Sequence, residues 1–256
     1  MMNINRMIST AVGFGLLGIL AQASVADAAE IKVLCSTGLK AVMEDLAPKF
    51  ESATKHKVVI RYSLASVLKQ QIEPGEAFDL IVLTPPLMDD AIKQGKIAAD
   101  SKTVIARTGL AIAVRTGARK PDMKTVDAFK RALLDAKSIA YAKEGASGVA
   151  FAALIQKLGI ADALKSKSTL TSSGEAVGEA VAGGTAEFGV LPVSEILPVH
   201  GAEVLSTFPA EVQSYIVMTA GVSAAAKQGT VARELIKFLT APAALPVIKT
   251  KGMDPG

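Results

Sequence analysis

Cysteine, histidine and tryptophan are scarce in this sequence of 256 residues, which has one cysteine, two histidines and no tryptophan. The single thiol, Cys35, cannot form an intramolecular disulfide, so packing has to hold the fold together. One cysteine and two distant histidines also cannot complete a zinc shell. We therefore expect no metal and no cofactor.

Aromatic residues and net charge are also low, at 4% and +4. A weak, scattered basic excess with few rings for base stacking argues against nucleic acid as a partner. A mild positive balance suits small anions instead. Hydrophobic residues make up 50% of the chain, which indicates a well-buried globule and not a disordered one.

The first 28 residues have the pattern of a cleaved export signal. Arg6 is the only charge before residue 27, the stretch 7–23 is apolar or small, and Ala26-Asp27-Ala28 gives the small-x-small pattern of a cleavage site. A membrane anchor is the alternative, but the apolar core of residues 11–21 is shorter than the roughly 20 residues that span a bilayer. We expect cleavage after Ala28 and a location in the periplasm.

Short apolar segments alternate with segments of helical periodicity along the rest of the chain. Expected strands are Ile31–Leu34, Val58–Tyr62, Phe78–Leu83, Leu110–Val114, Ser138–Ala142, Phe188–Leu191 and Ser214–Met218; expected helices include 39–50, 126–136, 149–158 and 231–239. This order predicts an α/β fold with mixed, mostly parallel sheets and helices on both faces.

The alternation occurs twice, which predicts two lobes. Residues 29–106 with 215–256 form the first lobe and 107–214 the second, with a hinge near Arg107 and Ser214. Within the first lobe, Pro48 should kink or shorten its helix, and Thr84-Pro85-Pro86 should end the third strand sharply.

Three predicted strands run into turns of small or hydroxyl-bearing residues, each followed by a helix: 36–38, 63–66 and 146–148. The N-terminus of a helix presents unpaired backbone N–H groups, so three such turns around one cleft would hold an anion. Ordinary helix capping is the alternative for each turn taken alone.

The segment from Leu68 to Asp79, LKQQIEPGEAFD, resembles a motif of the periplasmic molybdate-binding proteins, and the order of elements from Ile31 to Met253 is similar to theirs. The resemblance implies a two-lobed type II periplasmic binding protein fold. In that family, two serines, a small residue and a tyrosine contact the oxyanion. The matching positions here are Gly38, Ala65, Ser147 and Pro192. Two hydroxyls and the phenol are thus missing, and we expect that molybdate is not the ligand, although Ser36, Thr37 or Ser66 could substitute.

Two further departures from the family suggest a different anion. Arg107, at the expected hinge, could pair with a carboxylate in bidentate geometry, although an exposed arginine before a strand is the alternative. The Thr84-Pro85-Pro86 turn should reshape the pocket. The expected ligand is a small organic anion, a di- or tricarboxylate. The predicted ligand-binding residues are Ser36, Thr37, Gly38, Ser63, Ala65, Ser66, Thr84, Arg107, Ser147, Gly148, Pro192 and Ser194.

Two functions remain open at this point. The first is a monomeric binding protein that delivers the anion to an inner-membrane ABC permease. The second is an enzyme on the same scaffold, an aconitate isomerase that interconverts cis- and trans-aconitate by allylic proton transfer, an activity known among exported proteins similar to this family. It needs an acid or base in the cleft, and the candidates are Tyr141, Lys143, Glu144 and Glu195.

Overall fold

The computed structural model of the chain describes residues 28–256, so the predicted export signal lies outside the described residues apart from Ala28. Among the helices of this described part, none is both long and apolar enough to cross a membrane.

The strands and helices alternate for most of the chain. The strands are β1 (Glu30–Ser36), β2 (Lys57–Ser63), β3 (Leu80–Leu83), β4 (Thr103–Arg115), β5 (Ile139–Ala142), β6 (Ser168–Thr171), β7 (Phe188–Pro192), β8 (Ala202–Thr207), β9 (Tyr215–Val222) and β10 (Asp254–Pro255). The helices are α1 (Lys40–Thr54), α2 (Ala65–Ile72), α3 (Pro85–Lys93), α4 (Val126–Asp135), α5 (Ala146–Lys157), α6 (Ala161–Lys165), α7 (Gly174–Ala182), α8 (Val193–Ile196), α9 (Gly229–Thr240) and α10 (Leu245–Thr250).

Eight of these ten strands form one continuous path in the order β2-β1-β3-β9-β4-β7-β5-β6, and β8 and β10 each pair with β4. Between these named strands, every antiparallel pairing involves β4 or β9, and the remaining pairings are parallel. The predicted α/β fold with mixed strand directions is confirmed.

Strand β4 joins the two halves of the sheet. Its first part pairs with β9 as far as Gly109, and from Leu110 onward it pairs with β7 and β8. The pairing therefore changes partners close to the expected hinge. The division into two lobes with the predicted boundaries stays a prediction.

The largest core cluster runs through both halves of the sheet. Its bulky members include Phe50 from α1, Phe129 from α4 and Phe151 from α5, each fully buried. Cys35 is fully buried in β1, and burial raises the pKa of its thiol, so this side chain is an inert part of the core.

Proline has milder effects than the sequence predicts. Helix α1 does not end early, since it runs through Pro48 to Thr54. Its buried face, which includes Leu46 and Phe50, packs into the core and offsets the lost backbone hydrogen bond. The Pro85-Pro86 pair does end β3, but it also begins helix α3, because proline fits the first helical turn, where no backbone N–H is needed.

The motif at residues 68–79 has a structural role. The carboxylate of Asp79 accepts hydrogen bonds from the backbone N–H groups of Lys32 and Gln228, both at 2.9 Å. The buried Lys69 ammonium lies 2.7 Å from carboxylate oxygens of both Glu73 and Asp90, which connects α2 to α3. The motif thus fixes the elements around β3, and these residues do not line the cleft described below.

Candidate functional site

A cleft of about 580 Å³ lies where β1, β3, β5 and β7 end. It brings together many of the residues that the sequence predicts for the site: Ser36, Thr37, Ala65, Ser66, Thr84, Glu144, Ser147, Pro192 and Glu195. Residues from four separate turns meet here because the carboxyl ends of the parallel strands lie at one edge of the sheet.

Two helices point uncapped N-termini at the cleft. Leu64 precedes α2 and Gly145 precedes α5; both have extended backbones, and neither offers a side-chain cap. Residues of both first turns, Ala65 with Ser66 and Ala146 with Ser147, line the cleft. Helix α4, whose first turn lies elsewhere, is capped by the Thr125 hydroxyl, and α7, whose Gly174 lines the cleft, is capped by Ser173. The first-turn N–H groups of α2 and α5 are therefore free to donate to an anion.

The hydroxyl groups of the cleft come from different turns. Ser36 and Ser147 are each 5% exposed and lie in its wall. The Ser66 hydroxyl donates a 3.3 Å hydrogen bond to the carbonyl of Glu144, so the turns before α2 and α5 are in direct contact. Thr37 donates a hydrogen bond to the carboxyl of Glu195.

The rest of the wall is mostly apolar. Pro85 and Pro86 at the start of α3 have no N–H to donate. The apolar residues of the wall are Leu64, Pro85, Pro86, Leu87, Val149, Ile216 and Met218. At Gly38, a Cβ atom would lie 2.2 Å from Cε of Met218. The methionine therefore occupies the space that a side chain at position 38 would need.

Glu195, in the first turn of α8, is the ionisable group in the cleft whose pKa is most altered. Burial raises the pKa of its carboxyl to about 7, and the hydrogen bond from Thr37 opposes that rise. A Cβ on Gly174 would lie 2.0 Å from Oε2 of Glu195, so a larger residue at 174 would displace this carboxyl from its present position. Glu195 can therefore exist as a neutral acid or as a carboxylate near neutral pH.

The residues that line the cleft within the described chain include no lysine, arginine or histidine. Their carboxyl groups are those of Glu144, which is exposed, and Glu195. An anion bound here would thus be neutralised by backbone N–H groups and hydroxyls and not by a cation. No group of three or more His, Cys, Asp or Glu side chains in residues 28–256 is placed to hold a metal ion.

Arg107 lies on β4, where it pairs with Val217 and Asp254. Its side chain is 54% exposed, its guanidinium lies 5.2 Å from the ring centroid of Tyr215, and Nε lies 4.0 Å from Oδ2 of Asp254. This is the exposed arginine of the alternative given above, and Arg107 is not among the residues that line the cleft. That Arg107 pairs with a carboxylate ligand stays a prediction, and the site proposed below does not include Arg107.

The remaining predicted residues also lie outside the cleft lining. Tyr141 packs edge-on against Phe151, 5.2 Å between centroids, and Lys143 is exposed. Gly148 is a packing residue, since a Cβ there would lie 1.8 Å from the carbonyl oxygen of Ala142. The other three, Gly38, Ser63 and Ser194, are close in sequence to lining residues, and the Ser194 hydroxyl donates to the Gly38 carbonyl at 3.3 Å.

Sequence reasoning missed several lining residues, among them Gly174, Tyr215 and Met218. Gly174 follows Ser172-Ser173 at the start of a helix, and this is the same kind of turn that indicated the other three. Tyr215 brings a phenol to the cleft from β9, although the phenol expected at position 192 is absent. No pattern in the sequence indicates that Met218 lies against Gly38.

The fold is that of a type II periplasmic binding protein. The solved periplasmic molybdate-binding protein of Azotobacter vinelandii superposes with a TM-score of 0.76 at 20% identity, covering 88% of this chain and 99% of that one. A model of the bacterial extracellular solute-binding protein family matches residues 31–254. The chain belongs to this family.

The names of two relatives describe different functions. An aconitate isomerase of a Pseudomonas species is 27% identical over 231 residues, which cover 88% of this chain and 87% of the relative. The molybdate-binding protein ModA of Azotobacter vinelandii is 28% identical over 254 residues, covering 98% and 97%. Similarity alone therefore does not separate binding from catalysis.

Proposed function

We propose that this protein binds a small di- or tricarboxylate in the cleft and delivers it to an inner-membrane ABC permease. The observation that carries the proposal is the pair of uncapped helix N-termini, α2 and α5, that open onto a cleft of about 580 Å³. Two helix N-termini with neighbouring hydroxyls form a site for oxyanions such as a carboxylate.

The size and the walls of the cleft favour an organic anion over an inorganic one. Its volume lies within the range of roughly 300 to 1,000 Å³ that is usual for small-molecule sites. The positions equivalent to the family's oxyanion-binding hydroxyls are Gly38, Ala65 and Pro192, which offer no side-chain donor. Apolar wall residues such as Leu64 and Val149 can instead pack against the carbon skeleton of the ligand.

The remaining parts of this proposal follow from the sequence. Residues 1–28 would direct export, with cleavage after Ala28, and the mature protein would act as a periplasmic monomer. Neither a cofactor nor nucleic acid is part of its function.

A binding screen tests this proposal. The mature protein, residues 29–256, is titrated calorimetrically with succinate, citrate, tricarballylate, molybdate and sulfate. We expect a carboxylate to bind at least tenfold more tightly than either inorganic anion, because the lost hydroxyl contacts are worth roughly 1.5 to 3 kcal/mol each. Sub-micromolar molybdate binding with no carboxylate binding would contradict it.

Aconitate isomerisation is the second candidate, and Glu195 favours it. A carboxyl group with a pKa near 7 in the cleft wall suits a general acid and base at neutral pH. As the carboxylate it would take a proton from the methylene carbon of aconitate; the double bond would shift by one carbon, and the protonated Glu195 would return the proton to the other allylic carbon. No atom is gained or lost.

Proton NMR of cis-aconitate with the mature protein separates the two candidates. Appearance of trans-aconitate signals that Glu195→Gln abolishes would establish the isomerase. If the spectrum stays unchanged while carboxylates bind, the protein is a binding protein.

A further inference from the structure

Glu195 stands between two cavities. It lines the cleft and also a second cavity of about 380 Å³ between α1, α7 and α8. Its Oε1 lies 3.7 Å from the position that a Cβ on Gly38 would take, and its Oε2 only 2.0 Å from the corresponding position on Gly174. The carboxyl therefore lies against two backbone segments in a confined part of the wall.

We propose that Glu195 receives the anion as a neutral carboxylic acid, so that the protein takes up one proton with each anion. This inference rests on the proposed binding function and specifies how the charge of the ligand is accommodated. A neutral carboxyl adds an O–H donor to the cleft, whereas a carboxylate would repel the anion across a poorly solvated space. The lining of the described cleft has no cationic side chain to offset that repulsion.

The charged groups around Glu195 come from every neighbouring element. Lys40 and Glu44 of α1, Glu175 and Glu179 of α7, and His200 after α8 share the second cavity with it, and Glu144 before α5 shares the cleft. Burial, not one of these charges, is the main cause of the raised pKa of Glu195. Its protonation can therefore respond to an anion in the cleft at neutral pH.

Proton uptake makes the affinity depend on pH. With a pKa of about 7 in the anion-free protein, the fraction of neutral Glu195 falls as pH rises from 6 to 8. Since only this fraction binds, the dissociation constant should rise about tenfold over that interval. At pH 8 each bound anion should take up close to one proton.

Calorimetry with succinate and tricarballylate tests this inference, because neither has a double bond to shift. Each is titrated at pH 6 and pH 8 in two buffers of different ionisation enthalpy, which gives the number of protons taken up. The Glu195→Gln protein, whose amide also donates, should bind without this proton uptake and with a dissociation constant that changes less than twofold between the two pH values. Glu175→Gln, an exposed carboxyl of the second cavity, is the matched control and should keep the uptake.

The outcomes distinguish the inference from the proposed function. If none of succinate, citrate and tricarballylate binds at either pH, both are overturned. If one binds with equal proton uptake by the parent and by Glu195→Gln, only the role of Glu195 is overturned. As a check without ligand, carbon NMR of the anion-free protein should show Glu195 titrating near pH 7, and a midpoint below 5 would also contradict the inference.

Discussion

Met218 and Gly38 show how single residues change the chemistry of this cleft. A Cβ at position 38 would lie 2.2 Å from Cε of Met218, so serine cannot be placed at 38 while the methionine keeps its position. Both residues are buried, and the thioether gives the cleft floor an apolar character. Packing therefore links position 38 to a residue 180 positions away in the sequence.

Gly38→Ser should lower the free energy of unfolding by about 1 to 3 kcal/mol, because the new side chain overpacks the space held by Met218. In the double variant Gly38→Ser/Met218→Ala part of that cost should disappear, since the smaller alanine makes room. Urea denaturation of the four proteins of this double-mutant cycle measures the coupling. Strictly additive changes would mean that the two side chains do not compete for the same space.

Glu195 should make the stability of the anion-free protein depend on pH. The ordinary pKa of its carboxyl is 4.5 and folding raises it to about 7, so the folded state holds a proton that the unfolded state has released. The stabilisation is complete below about 4.5 and is lost as pH rises through 7. Between pH 5 and pH 8, the unfolding free energy of the parent should therefore fall by about 1 to 3 kcal/mol more than that of Glu195→Gln. Denaturation at both pH values checks this, and identical pH profiles would refute it.

At the scale of elements, the N-termini of the ten α-helices in the described residues differ, since two carry a side-chain cap and eight do not. Those of α4 and α7 are capped by the hydroxyls of Thr125 and Ser173, each accepting a 3.2 Å hydrogen bond from a backbone N–H of the first turn. Those of α2 and α5, which open onto the cleft, carry no side-chain cap. Because most of these helices lack a cap, it is the position of the α2 and α5 N-termini at the cleft, and not the missing cap alone, that makes their N–H groups available to a ligand.

Removing a cap should therefore affect stability and not binding. Thr125→Ala should lower the unfolding free energy by about 1 kcal/mol and leave carboxylate affinity unchanged. Ser147→Ala, in the first turn of α5, should have the opposite effect, weakening binding with little loss of stability. Chemical denaturation and calorimetry of both variants give the two quantities. Equal effects of both variants on affinity would show that the first turn of α5 contributes no more to carboxylate binding than the cap of α4 does.

Most of the elements that surround the cleft could be predicted from the sequence, because apolar periodicity and small turn residues are local signals. The sequence predicts strand β4 only over Leu110–Val114, although it extends over Thr103–Arg115, because its first part mixes exposed and buried residues without regular alternation and has no continuous apolar run. The turns that form the site are recognisable, whereas the position of Arg107 is not. The side chain of an exposed arginine on a strand can reach into a cleft or stack on a neighbouring ring, as Arg107 does on Tyr215. Tertiary packing decides between these positions, and a local sequence pattern carries no information about it.

At the scale of the whole molecule, β4 and β9 connect the two sides of the cleft. They pair along Thr103–Gly109, and the backbone N–H of Leu110 donates to the Ser214 carbonyl at 3.0 Å. A change in backbone angles near Gly109 and Ser214 would move one half of the sheet relative to the other. The predicted hinge thus falls where the sheet exchanges partners.

We predict that a bound carboxylate closes the cleft about this hinge, as is usual for proteins of this fold. Small-angle X-ray scattering of the mature protein should show a smaller radius of gyration with saturating tricarballylate than without it. Superimposable scattering profiles from the free and the saturated protein would show that binding occurs without closure.

The proposed site depends on the backbone N–H groups of α2 and α5, and a proline substitution removes one of them. Ala146→Pro removes the first N–H of α5, while Gly145 before it already has the extended backbone that proline requires. Val126→Pro makes the same change at α4, which follows the extended Thr125, and serves as the matched control.

The measurement is the calorimetric dissociation constant of tricarballylate for the parent and both variants. We predict that Ala146→Pro weakens binding at least tenfold, since a hydrogen bond to a charged group is worth roughly 1.5 to 3 kcal/mol, and that Val126→Pro leaves it unchanged. A folded Ala146→Pro protein that binds tricarballylate as tightly as the parent would contradict the account.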